Sequence, residues 1–106
     1  MDTLDNLNVP YIYQKEEYDN IHNRKFIFDF YLNLNGIIYI IEYNGRQHYM
    51  PIEYLGGEIR YKEQIVRDNN LKDYCKIKNY NLLEIKYDVK NEDFKHLINK
   101  FINGNT

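Results

Sequence analysis

The sequence predicts an α/β protein: a small mixed β-sheet, built from an antiparallel hairpin plus a parallel crossover strand and flanked by helices. Three observations carry this reading. Two β-branched and aromatic runs, 26–32 and 37–43, flank Asn35-Gly36, the strongest short-range signal for a two-residue type I′ hairpin turn. Residues 58–78 contain neither proline nor glycine and read as a long helix. Leu82 to Tyr87 then shows the alternation of another strand. A strand, crossover helix and strand after a hairpin make a mixed sheet.

Taken in order, residues 2–8 are polar and fit a helix stub or a loose end. Tyr11-Ile12-Tyr13 reads as a short strand after Pro10, and 19–24 as a polar connection. The hairpin strands are expected at 25–32 and 37–43. Ile37, Ile38, Ile40 and Ile41 make the second strand apolar on both faces, which places it centrally. Gly56-Gly57 is a breakpoint before the helix at 58–78, in one piece or two, and Asn79-Tyr80-Asn81 ends it. Asn91 is expected to cap the last helix. Glu92 and Asp93 fall in its first turn, where the helix dipole favours acids. Phe94, Leu97, Ile98 and Phe101 give that helix an apolar face.

A chain of 106 residues fits one domain, 1–106, with its core at about 9–102. Hydrophobic residues make up 43 %, and with 12 Tyr and 5 Phe much of the interior is aromatic. The wealth of Asn, Ile, Lys and Tyr suits an AT-rich genome, such as a phage, a large DNA virus or an AT-rich bacterium. No apolar run reaches the roughly 18 residues of a membrane helix, and the N-terminus is acidic rather than signal-like. The single Cys75 excludes an internal disulfide and is expected in the core. No Cys/His spacing suits zinc. The expectation is a soluble intracellular protein without a membrane partner.

A net charge of −2 is not the footprint of a protein that binds nucleic acid by bulk charge. Its distribution says more. Residues 60–78 hold Arg60, Lys62, Arg67, Lys72, Lys76 and Lys78 against Glu63, Asp68 and Asp73. Taken alone, that stretch fits a solvated helix face equally well.

The hairpin turn has a chemical consequence. With Leu34 facing Ile37, the register runs on to place Asp29 directly opposite Glu42 on one face, with Cβ atoms roughly 4.5–5.5 Å apart. Like charges so placed in apolar surroundings destabilise the sheet unless one is protonated or a cation sits between them. A hard divalent cation with oxygen ligands answers this, and Asn44 on the same face adds a third oxygen ligand or a polar contact. On the helix, Gln64, Asp68 and Lys72 make one row, flanked by Tyr61, Leu71 and Cys75, so part of that polar row is expected to face protein. His48, six residues past Glu42, suits a general base, with a reference pKa of about 6.5. His22 and His96 lack such a context and read as surface residues.

These residues resemble the PD-(D/E)XK, or restriction-endonuclease-like, nuclease superfamily. The likeness is greatest to the branch of very-short-patch repair and phage homing endonucleases. It runs from Phe26 to Tyr87: Phe28-Asp29-Phe30, the block 42–49 (Glu-Tyr-Asn-Gly-Arg-Gln-His-Tyr), Gly56-Gly57, the helix segment 67–75 and the strand 82–87. The resemblance implies a restriction-endonuclease-like core and a Mg²⁺-dependent DNA endonuclease, with Mn²⁺ as substitute. It implies nicking, homing or branched-DNA cleavage, a homodimer being one route to double-strand cuts. Asp29 and Glu42 would be the metal ligands. His48 would touch the scissile phosphate or relay a proton, Gln47 would fix substrate or a water, and Asp68 would orient His48 or a metal-bound water. Asn44 stands where the superfamily has a Lys, and Lys72 on the helix would supply the displaced charge. Many members also begin with a helix whose Glu joins the site, a part that Glu16 or Glu17 would have to take. The alternatives are a catalytically weakened DNA-binding module on the nuclease fold and, outside the resemblance, an unrelated α/β interaction protein whose acids are structural.

Overall fold

The computed structural model describes Asp5 and residues 8–53 and 56–104. It is a small α/β protein, and among the described residues it has a four-stranded mixed sheet and two long helices. Strands β1 (Ile12–Asp19), β2 (Arg24–Leu34) and β3 (Ile37–Asn44) form an antiparallel meander. Helix α1 (Gly57–Lys78) then crosses over to β4 (Asn81–Lys86), which pairs parallel to β3, and helix α2 (Asn91–Asn103) follows. Sheet order is β1-β2-β3-β4, so β3 is central, as its apolar character on both faces implied.

Each helix covers one face. Under α1 lie Phe26, Phe28 and Ile40, packed with Leu71, Tyr74 and Cys75. Under α2 lie Leu32, Ile41 and Ile85 against Ile98. Full burial of Phe26 and Phe28 makes truncation to Ala at either worth about 3–5 kcal/mol. The hairpin turn has φ of 56° at Asn35 and 86° at Gly36, the left-handed pair that type I′ requires, and Asn33 Oδ1 accepts the Gly36 N–H at 3.0 Å.

Four expectations need correction. The first strand is eight residues, not three, because Lys15–Asp19 continue pairing with β2 through Asp19↔Arg24. A polar edge strand carries too little apolar signal to be read as one. Helix α1 is a single piece that starts one residue earlier than expected, at Gly57. Asn91 is the first residue of α2 rather than its cap. Lys90 occupies the cap position and makes no side-chain cap bond. His22 is not a free surface residue: its Nδ1 hydrogen-bonds buried Asp19, and its Nε2 lies 3.0 Å from Asp73 Oδ2, tying the β1–β2 turn to α1. The expected helix stub at 2–8 falls on residues of which only Asp5 and Asn8 are described. Among the described residues, no helix is long and apolar enough to cross a membrane.

Candidate active site

The site grows from a fault in β2. Phe26 and Phe28 face α1, yet Phe30, Leu32 and Leu34 face α2, and Tyr31 returns to the α1 side. Side-chain alternation therefore slips by one at Asp29. The β1 pairing steps from Tyr13↔Phe30 to Lys15↔Phe28, passing over Gln14, whose φ is 52°, and Asp29 together, with the register unchanged beyond them. On the other side, the β2–β3 ladder stops at Phe30↔Ile41. The hairpin register is the expected one, but it ends one pair short of Asp29 and Glu42.

Beyond that point the carboxylates replace the ladder. Asp29 N–H donates to Glu42 Oε2 at 3.0 Å, and Tyr43 N–H donates to Asp29 Oδ2 at 2.8 Å. Each acid thus bonds backbone on the opposite strand. Glu42 is buried, with 5 % of its surface exposed. Burial first, and then the Asp29 charge, push its carboxyl up to about 8, although the Asp29 N–H and the Arg67 charge pull the other way. The site therefore favours either a proton or added positive charge beside Glu42.

The next elements bring further groups to this end of the sheet. The 3-10 turn Arg46–His48 follows β3 and places His48 Nδ1 3.0 Å from Asp68 Oδ2. Gln64 Nε2 donates to Asp68 Oδ1 at 2.9 Å. Burial alone would raise Asp68. The hydrogen bonds from His48 and Gln64, with the His48 and Arg67 charges, outweigh it and hold the carboxyl below its usual range. An ionised Asp68 accepts only, so Nδ1 carries the proton of that bond, and whenever the ring is neutral Nε2 is its acceptor. Lys72 Nζ lies 3.9 Å from Glu84 Oε1, and Asn44 Nδ2 donates to Glu84 Oε2 at 2.9 Å. Part of the row thus does face protein: Gln64 and Asp68 are half-buried, whereas Lys72 is exposed.

Of the seven residues singled out in the sequence, six gather here. The Gln47 side chain lies outside the described residues. Glu16 pairs with Lys25 at 3.2 Å, and Glu17 accepts the Tyr74 and Tyr80 hydroxyls at 2.8 and 2.9 Å, so neither joins the site. Two residues were missed. Arg67 lies over the Phe26 ring at 5.7 Å and acts on both Glu42 and Asp68. Glu84 is the register partner of Glu42 on β4. The basic helix segment hinted at Arg67, whereas nothing local marks Glu84, since parallel register depends on how α1 packs.

Among the described residues, no group of three His, Cys, Asp or Glu side chains is set to hold a metal ion. Two carboxylates, Asp29 and Glu42, do approach each other, and Asn44 lies two residues along β3 from Glu42. A pair of carboxylates would suit Mg²⁺, which is held by one or two carboxylates and keeps several waters, better than an ion needing a full protein cage. The chain matches no family model, no curated protein and no solved structure.

Proposed function

We propose that this chain is a metal-dependent DNA endonuclease with a restriction-endonuclease-like core, using Mg²⁺ or, as a substitute, Mn²⁺. One observation carries the reading: the reciprocal clamp in which Asp29 and buried Glu42 converge where the β2–β3 ladder opens. Packing alone gives no reason to hold two acids together there, since the pair costs stability until positive charge arrives. Asp29, Glu42 and Asn44 would hold the ion, which would neutralise phosphate charge and make water easier to deprotonate. His48 Nε2 then takes the proton of the attacking water, with Asp68 fixing the ring's tautomer and orientation. Lys72 offsets negative charge developing on the phosphate. DNA as the substrate is supported by the basic residues of α1, of which Arg67 and Lys72 lie at the site.

The test is cleavage of supercoiled plasmid by the full chain in Mg²⁺. Nicking that disappears in Asp29→Ala and in Glu42→Ala supports the proposal. Binding that weakens with salt but never cuts, even in Mn²⁺, would instead identify a DNA-binding module on a nuclease fold. Asn44 in place of a strand lysine is the feature that favours this second reading.

A further inference from the structure

The parallel register of β3 and β4 sets Glu84 beside Glu42 and Lys86 beside Asn44. Glu84 uses both oxygens: Oε2 accepts Asn44 Nδ2 at 2.9 Å, and Oε1 faces Lys72 Nζ at 3.9 Å. A carboxylate only accepts, whereas a carboxamide has two donors at one end and an acceptor at the other. Glu84 therefore selects which end of the buried Asn44 amide faces β4, and it selects the NH₂. The Tyr49 hydroxyl, at 3.5 Å, approaches the same nitrogen. No described donor reaches Asn44 Oδ1. Oδ1 is therefore the end of the amide turned away from Glu84, on the face that Asn44 shares with Glu42.

We propose that Glu84 is a positioning residue of this site: by binding Asn44 Nδ2 it aims Asn44 Oδ1 as an oxygen donor to a hard divalent cation, and it holds the Lys72 ammonium at the same edge. The proposal rests on the metal-site reading above. A glutamine at this position would accept either orientation of Asn44, and the oxygen would lose its fixed direction.

The experiment is titration of Mn²⁺ into the intact chain, followed by calorimetry, beside melting curves without metal. If the wild type takes up no Mn²⁺, or Asp29→Ala takes it up equally well, the site reading itself fails whatever Glu84 does. If Asp29→Ala abolishes binding, Glu84→Gln is expected to weaken Mn²⁺ roughly 10-fold or more, the range for losing a partner that orients a ligand. Adding Asn44→Asp to Glu84→Gln should restore affinity, because a carboxylate presents oxygen however it turns and can accept from the introduced amide. A Glu84 that merely braces the fold would lower the melting temperature yet leave Mn²⁺ affinity unchanged, which overturns the proposal. Failure of the double variant to recover affinity does so too. Should Glu84→Gln not fold, Asn44→Ala carries the test: it must weaken Mn²⁺ by a similar factor, and unchanged affinity there also overturns the proposal.

Discussion

Lys72 shows how little a single position says before its neighbours are known. On α1 its side chain is 58 % exposed, which by itself describes an ordinary solvated lysine. Its ammonium nevertheless stands 3.9 Å from Glu84, whose register partner is Glu42. In the proposed nuclease, Asn44 on β3 is an amide and cannot stabilise developing anionic charge as the Lys72 ammonium can. Lys72→Met should therefore slow single-turnover plasmid nicking by roughly 10²-fold or more, as for removal of one preorganised electrostatic group. Its exposure means that folding and Mn²⁺ affinity should hardly change. Near-normal turnover in this variant would leave His48 as the principal non-metal catalyst.

At the scale of elements, the entry to α1 decides whether the helix reaches the site at all. Gly56 caps it with φ of 103°, and a Cβ placed there would lie 2.0 Å from Arg60 Cγ. Both the backbone conformation and the space thus exclude a side chain. Gly56→Ala should destabilise the protein by roughly 1–3 kcal/mol, the usual range for forcing a strained backbone, read as a lower urea midpoint with unchanged slope. Gly57 has φ of 60°, and an alanine methyl there would meet nothing within 4 Å. Gly57→Ala should therefore suffer from backbone strain alone and lose less. Equal losses at the two positions would show that the Arg60 contact relaxes freely. At its far end α1 stops at Asn79, whose φ of 61° lets its N–H return to Cys75 and Lys76 carbonyls.

At the scale of the whole molecule, the site should be legible in the pH dependence of stability. Glu42 titrates near 8 when folded, against an ordinary value of 4.5. The folded state thus binds the proton more tightly, so this contribution is fully present below about 4.5 and is lost as pH rises through about 8. Asp19 and Asp68 have the opposite sign: with lowered values, they add stability above 3.8 that is lost on acidification. The metal-free chain should accordingly be most stable in mildly acidic solution and melt earlier toward pH 8. Glu42→Gln should flatten the alkaline limb. Mg²⁺ should raise the melting temperature of the wild type at pH 8, and raise it less in Glu42→Gln, where one ligand charge is gone. Equal shifts in the two proteins would show that the ion binds elsewhere.

Local chemistry determined much of this protein in advance. Asn35-Gly36 can satisfy two left-handed positions, so the hairpin and its register follow from the turn, and with them the adjacency of the strands carrying Asp29 and Glu42. The spacing of Gln64, Asp68 and Lys72 likewise follows from 3.6 residues per turn. Tertiary structure decided the rest, because it depends on contacts between residues far apart in the chain. The slip of alternation at Asp29 is one such feature: Phe26 and Phe28 pack under α1 while Phe30 and Leu32 pack under α2. Glu84 reaches Glu42 and Asn44 only because the α1 crossover sets the parallel register of β4. Asp19, His22 and Asp73 meet only when that helix lies over the β1–β2 turn. A turn is written in two residues, whereas a register across a crossover is set by how a 22-residue helix packs on the sheet.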